Sequence, residues 1–302
     1  MSEQNQTKSG IINAICAYTI WGLAPIYFKL LQQVSATEIL MHRVVWSFLL
    51  LVAIIFAMGN WSTVRAVLKQ PKTVAWLGLT AVVLAINWLI FIWAVNNDHI
   101  LEASLGYYIN PLFNVALGMI FLGERLSKWQ GIAVLLAFTG VAIQLISLGT
   151  IPYIALALAA SFGIYGLLRK KLMVDSVSGL FIESAWLMPA AMIYWAFFLN
   201  TSTSNLLGNE MQLNGLLIAA GLVTTAPLLF FTGAAKRLTL ATLGFFQYIG
   251  PSIMFVIAIT VFHEPLVFEK LITFACIWTA LVIYSLDSYR KHRANKKKPR
   301  TI

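Results

Sequence analysis

Residues 106–126 read GYYINPLFNVALGMIFLGERL, and residues 246–266 read FQYIGPSIMFVIAITVFHEPL. The two stretches align at a constant shift of 140 residues. The pairs that fall into register are Tyr108/Tyr248, Ile109/Ile249, Pro111/Pro251, Glu124/Glu264 and Leu126/Leu266. Each copy places a proline inside an apolar run long enough to cross a bilayer, where proline removes one helical hydrogen bond. The chain is therefore expected to contain two related halves, each with a helix broken at membrane depth.

The composition indicates a membrane protein. Of the 302 residues, 60% are hydrophobic and only 11% are charged, whereas the surface of a soluble chain of this length needs far more charge. A spanning helix needs about 20 mostly apolar residues. The predicted spans are 10–31, 38–58, 73–95, 101–122, 129–147, 151–168, 180–199, 213–234, 241–262 and 267–286. We therefore predict an all-α membrane protein of ten transmembrane helices, with residues 1–302 in a single integral membrane domain.

The positive charges show which loops face the cytoplasm. The net charge is +10, and the basic residues concentrate in alternate gaps between the spans and in the basic tail 287–302. Those in the gaps are Lys8, Arg65, Lys69, Lys72, Arg125, Lys128, Arg169, Lys170, Lys171, Lys236 and Arg237. This positive-inside pattern predicts that both termini are cytoplasmic. The basic tail is expected to contact anionic lipid headgroups and no nucleic acid.

The two halves are predicted to be inverted. The first repeat covers about 10–147 and the second about 151–286, so each holds five spans. Because five is odd, the second half enters the membrane from the opposite side. Inverted repeats around a central site are the usual basis of alternating access in secondary transporters.

The polar residues beside the paired prolines predict a central cavity between the fourth and ninth helices. The residues expected to line it are Tyr108, Asn110, Pro111, Gln247, Tyr248, Pro251, Asn87, Trp21 and Arg43. Each has an alternative interpretation. The prolines can be simple packing kinks, Asn87 can hydrogen-bond across helices, and Trp21 can be a packing or interface residue.

Ionisable residues within the spans are a sharper signal, because each costs about 2.5 kcal/mol or more unless it is paired or hydrated. Arg43 is a candidate for holding an anionic group or for an outer gate; the alternatives are a snorkelling side chain or a structural ion pair, for example with Glu38 or Glu102. Glu183, Glu102 and His42 are the candidates for proton or ion coupling. Arg43 and Glu183 are equivalent under the shift, but inversion places them toward opposite faces, so a direct pair is not implied.

The sequence contains no constellation typical of an enzyme. A nucleophile elbow, a phosphate-binding loop, a zinc-type cluster and a dinucleotide motif are all absent from it. We therefore expect a protein without catalytic residues, metal or cofactor, and without ATP hydrolysis.

Several segments resemble a known family. They are AYTIWGLAPIYFKL (17–30), EILMHRVVWSF (38–48), the run from 87 to 125, and TLGFFQYIGPSIMF (242–255). These segments are similar to the RarD proteins of the EamA branch of the drug/metabolite transporter superfamily, and the resemblance covers essentially the whole chain. It implies ten helices in two inverted repeats, a central cavity and a location in the bacterial inner membrane. The family pattern matches Gly123-Glu124, while His263-Glu264 replaces the glycine in the second copy.

The expected function is a secondary transporter, a permease that exports a small organic metabolite or drug-like solute by alternating access. The alternatives are a passive channel and a non-transporting membrane scaffold.

Overall fold

A computed structural model describes residues 3–97, 99–261, 263 and 268–297. Glu264 and the end of the predicted basic tail lie outside the described residues. In chain order the described residues form α1 (Glu3–Lys29), α2 (Ala36–Ala57), α3 (Trp61–Leu68), α4 (Pro71–Asn96), α5 (Ile100–Leu122), α6 (Lys128–Leu148), α7 (Tyr153–Lys171), α8 (Ser176–Phe197), α9 (Met211–Ala235), α10 (Leu240–Gln247), α11 (Ile249–Thr260) and α12 (Phe268–Lys297).

These helices confirm the predicted all-α membrane fold. Among the described residues, ten segments are long and apolar enough to cross a membrane, with α10 and α11 together forming the ninth. Their ends fall within a few residues of the predicted spans. The short helix α3 was not predicted; it lies in the gap between α2 and α4 and buries Val64 and Val67.

Side-chain caps fix where several helices begin. Ser35 accepts the backbone N–H of Glu38 at the start of α2, and Asp175 accepts that of Ser178 at the start of α8. Ser127 and Gln130 form a reciprocal capping box at the start of α6. Each cap satisfies an N–H that has no partner within its own helix.

Contacts between helices occur in matched pairs. In the second half, α7 contacts α4 and α5 of the first half; correspondingly, α1 in the first half contacts α9 and α11 of the second half. Likewise, α2 packs on α9 and α8 packs on α4. Three further contacts join equivalent helices to each other: α2 with α8, α5 with α10, and α6 with α12. Exchanging the two halves leaves this contact pattern unchanged, as expected for halves related by a two-fold axis.

Two of these equivalent pairs run antiparallel. At the start of α6, Ser127 Oγ donates to Asp287 Oδ2 near the end of α12 (2.7 Å). Near the end of α6, Gln144 Nε2 donates to Thr273 Oγ1 near the start of α12 (3.1 Å). In the other pair, Leu51 and Ile55 late in α2 belong to the same core cluster as Leu180 early in α8, whereas Val45 earlier in α2 clusters with Ala191 late in α8. Antiparallel equivalent helices are what an inverted repeat requires.

The proline-containing helices differ from the prediction in one half. The second copy is broken at Tyr248, between α10 and α11, where the Tyr248 N–H bonds back to Phe245 O in a tight turn (3.2 Å). In the first copy α5 continues through Pro111, so the predicted break there is wrong. The copies differ immediately before the proline, where the second has Gly250, a poor helix former, and the first has Asn110.

Candidate solute cavity

A polar cavity lies where α2 and α8 cross α4 and α9, so each half of the chain contributes two helices. Its polar lining consists of Arg43, Ser47, Glu183, Ser184, Thr224 and Thr225. Trp88, leucines and Val44 form the apolar walls. The cavity leaves about 20 Å³ for the centres of water-sized molecules, which is room for one or two waters. An organic solute therefore requires this conformation to open.

Arg43 and Glu183 enter the cavity from equivalent positions. Arg43 is the eighth residue of α2 and Glu183 the eighth residue of α8, so each lies about 10 Å along its helix axis from that helix's first residue. Since α2 and α8 are antiparallel, the two charges approach the cavity from opposite ends. Each also hydrogen-bonds to a threonine on the third spanning helix of the other half. Arg43 Nε donates to Thr224 Oγ1 on α9 (2.8 Å), and Thr80 Oγ1 on α4 donates to Glu183 Oε1 (2.5 Å).

Arg43 is held mainly by aromatic side chains. Its guanidinium lies 4.8 Å from the ring centroid of Trp88 and 5.9 Å from that of Phe28. The ion pair with Glu38 or Glu102 that the sequence left open does not form in the described part of the chain. Glu38 accepts two threonine hydroxyls of the segment before α9, and Glu102 lies against His99.

Glu183 is the centre of a buried cluster. Its carboxylate lies 3.6 Å from Nε of Arg169, a side chain that is fully buried on α7. Tyr165 OH donates to the other carboxylate oxygen (3.3 Å). The guanidinium nitrogens of Arg169 have no hydrogen-bond partner among the described residues, so Glu183 is its described counterion. The cluster joins α4, α7 and α8 at one end of the cavity.

The sequence predicts a cavity between the fourth and ninth helices, which are α5 and α10–α11. In this conformation α5 and α10 pack closely, and the cavity described above lies between other helices. Tyr248 is 1% exposed and packs in an apolar cluster with α6 and α12 residues; Tyr108 packs against the same cluster. The Tyr248 hydroxyl donates to the backbone oxygen of Tyr108 (3.3 Å). Gly244 lets the helices approach closely, since a Cβ there would lie 2.6 Å from Pro111 O. A proline indicates where a backbone carbonyl loses its helical hydrogen bond. It does not indicate which face of the helix points toward a cavity.

The amides of this interface form a buried cluster of their own. Asn114 Nδ2 donates to Gln247 Oε1 (2.9 Å) and to Asn110 Oδ1 (3.1 Å). Pro251 is also buried, in α11. None of these described side chains lines the cavity beside Arg43, so a direct role in solute binding stays a prediction for another conformation.

The remaining predicted residues have structural partners. Asn87 Nδ2 donates across to α7, to Leu158 O (3.0 Å) and Ser161 Oγ (2.9 Å), which confirms the cross-helix interpretation. Trp21 packs against Tyr18, Phe162 and Phe231. His42 Nδ1 accepts from Trp46 Nε1 (3.1 Å) within α2.

Four polar residues of the cavity were not predicted. Ser47, Ser184, Thr224 and Thr225 all line it, and Thr225 Oγ1 is buried without a partner among the described residues. Hydroxyl residues are common in membrane helices and carry no marker of their own. A search of the residues within one turn of Arg43 and Glu183 could have found Ser47 and Ser184, but not Thr224 and Thr225, which lie on another helix. In the described part of the chain, no group of three His, Cys, Asp or Glu side chains is placed to hold a metal ion.

Comparisons with known proteins agree with this fold. Residues 8–146 match the EamA-like transporter family. The chain is 56% identical over 295 residues to an uncharacterized transporter of Vibrio cholerae, covering 98% of each chain. It is 52% identical to Protein RarD of Escherichia coli, covering 97% of this chain and 100% of that protein. A crystal structure of a protein 17% identical in sequence superimposes with a TM-score of 0.72, covering 96% of this chain and 99% of that chain, which shows a shared fold. The chain therefore belongs to the RarD group of the EamA-like transporter family and is a multi-pass membrane transporter.

Proposed function

We propose that the protein is a secondary transporter, a permease that exports a small organic metabolite or drug-like solute by alternating access. The observation that carries this proposal is the cavity at the antiparallel crossing of α2 and α8, two equivalent helices of the two halves, into which Arg43 and Glu183 both project. Two related halves around one site can exchange conformations and so expose the site to each side in turn.

The positions of the two charged residues support this mechanism. Arg43 and Glu183 are the eighth residues of two antiparallel equivalent helices, and each is hydrogen-bonded to a neighbouring helix. Opening one end requires breaking the contacts at that end, while the contacts at the other end persist. The present conformation has both sets of contacts formed, and its cavity has room for only one or two waters, so an organic solute does not fit in it.

Coupling to a proton is assigned to Glu183 within this proposal. Of the three candidates it is the one that lines the cavity, whereas His42 bonds within α2 and Glu102 lies against His99. A solute flux that is driven by a pH gradient and survives Glu183→Gln unchanged would remove this assignment.

The proposed location is the bacterial inner membrane with both termini cytoplasmic. The basic residues in alternate gaps support this orientation, and the proposal includes contact between the basic tail and anionic lipid headgroups. Reporter fusions at the two termini test the orientation, because both are expected to behave as cytoplasmic.

The test of transport begins with comparative metabolite profiling of cells and medium with and without the protein, which identifies the exported solute. The purified protein in liposomes is then expected to give saturable counterflow of that solute. Ser184→Trp should abolish the flux, because it fills the cavity. Ala190→Trp is the matched control, since it adds the same side chain at an exposed position of the same helix.

The alternatives predict different results. A passive channel would give unitary currents and no counterflow. A scaffold would give neither, and Ser184→Trp would have no effect on any flux. Either pattern would overturn the proposal.

A further inference from the structure

We propose that the cavity selects monocarboxylate solutes, whose carboxylate binds Arg43 beside Trp88. This inference rests on the proposed function for its biological meaning, but it concerns binding, which is measured separately from transport. It follows from the charge balance of the cavity, from the hydrogen-bonding groups that remain unused, and from the apolar walls.

Among the described residues, Arg43 is a cation without an acidic partner. Its interactions there are one hydrogen bond from Nε to Thr224, two aromatic faces and electrostatic interactions with Tyr27 and Tyr107. Within the described residues, the acids that sequence or position associates with it all have other partners: Glu38, Glu102 and Glu183. The two terminal nitrogens of the guanidinium make no described hydrogen bond, and the side chain is partly exposed at the cavity.

An uncompensated cation at this depth carries a substantial cost. A charged side chain in the bilayer interior is costly unless it is paired or hydrated, and a cation–π contact is the weaker of the two effects. The aromatic contacts therefore offset only part of that cost. A carboxylate bound by the two free nitrogens would offset the rest, because a guanidinium and a carboxylate form two parallel charge-assisted hydrogen bonds.

The charge of the whole cavity favours a monoanion over a dianion. Glu183 is balanced by Arg169 at the other end, which leaves the single positive charge of Arg43 in excess. A phosphate monoester would bring a second negative charge toward Glu183. Protonation of Glu183 during transport would remove its negative charge and so increase the net positive charge of the cavity. An anionic solute is therefore favoured whether Glu183 is protonated or not.

The other walls describe the rest of the solute. Trp88 and the leucine side chains offer an apolar surface next to the guanidinium. The buried hydroxyl of Thr225 has no partner among the described residues and can bond one further polar group. The ligand is thus a carboxylate with a compact apolar or aromatic group.

The test measures binding to the purified protein in lipid nanodiscs, by thermal stabilisation, in a buffer without carboxylates. The probes are butanoate, 4-methylpentanoate and phenylacetate, each paired with its primary amide, which has the same shape and no charge; phenyl phosphate is the dianionic probe. At least one carboxylate should bind roughly 10- to 100-fold more tightly than its amide, as expected for a hydrogen-bonded charge. Phenyl phosphate should bind more weakly than phenylacetate.

Variants assign the binding to Arg43. Arg43→Gln should abolish the preference for the carboxylate over the amide, and Arg43→Lys should keep a weakened preference. The matched control is Arg65→Gln on α3, which removes a cation far from the cavity lining and should change nothing. Equal binding of each carboxylate and its amide, no binding of any carboxylate, or a preference that survives Arg43→Gln would overturn the inference. If metabolite profiling identifies an uncharged solute and that solute shows counterflow, the monocarboxylate class is rejected and the proposed transport stands. If carboxylates bind but no solute is transported, the proposed transport is rejected and the inference about binding stands.

Discussion

Removing one member of the buried pair between Arg169 and Glu183 is expected to destabilise the protein strongly. Both side chains are almost fully buried, with exposures of 0% and 3%, and breaking such a pair from one side costs about 3–5 kcal/mol. The structure predicts which of the two single substitutions, at Glu183 or at Arg169, costs more within that range. Glu183→Gln leaves the guanidinium of Arg169 with no counterion in the described part of the chain, so it should cost about 5 kcal/mol.

The reverse substitution should cost less. Arg169→Met leaves a buried carboxylate, but that carboxylate keeps the hydroxyls of Thr80 and Tyr165, and a hydrogen bond to a charged group contributes about 1.5–3 kcal/mol. We expect a cost of about 3 kcal/mol for Arg169→Met. The double variant buries no charge at this position, so it should be more stable than Glu183→Gln alone.

The assay is reversible unfolding in mixed micelles, followed by the loss of helical circular dichroism, for the wild type and the three variants. The double-mutant cycle should give a coupling free energy of at least about 2 kcal/mol. Additive costs, or Arg169→Met being the more damaging single substitution, would refute the reasoning that Glu183 is the counterion that stabilises Arg169.

Three further predictions concern other contacts. Glu124→Gln should cost about 1–2 kcal/mol of unfolding free energy, because its carboxylate caps the first two N–H groups of α10; Glu210→Gln, at a helix start without a side-chain cap, should cost little. Asn87→Val should cost on the order of 1 kcal/mol by removing the bonds to α7, while Asn97→Ala, at an exposed position, should be neutral in the same measurement. Burial, followed by the charges of nearby arginines, lowers the pKa of Lys236 to about 8. Since this pKa is lower in the folded than in the unfolded protein, stability should rise as the pH rises from about 8 toward the ordinary lysine pKa. A melting-temperature profile that rises as steeply in Lys236→Gln as in the wild type would contradict this.

Most of the fold could be predicted from the sequence because the signals are long and repeated. Ten apolar runs and a shared register of prolines predict the helix count and the two halves. The short amphipathic helix α3 lacked such a signal, since eight residues in a polar gap look like a loop. The helix is broken at Tyr248 but continuous through Pro111, and the shared proline does not predict this contrast.

The cavity was predicted less well than the helices. Arg43 and Glu183 were found because charge is rare at membrane depth, and both line the cavity. The tyrosines beside the prolines pointed to a different interface. Which face of a helix points inward depends on how the helix is rotated relative to its neighbours. That rotation cannot be predicted from a nearly uniformly apolar sequence, because no polar face marks it. Thr224 and Thr225 became visible only once α9 was placed against α2.

The most direct test of alternating access around this cavity measures access to it from each side of the membrane. Cys16→Ala and Cys276→Ala remove the cysteines of the sequence, and Ser184→Cys places one thiol in the cavity. A membrane-impermeant thiol reagent is then applied to right-side-out and to inverted vesicles, with Ala190→Cys as the lipid-facing control. We predict labelling of the cavity cysteine from both sides and little labelling of the control. Labelling of the cavity cysteine from one side only, or from neither, would contradict the account.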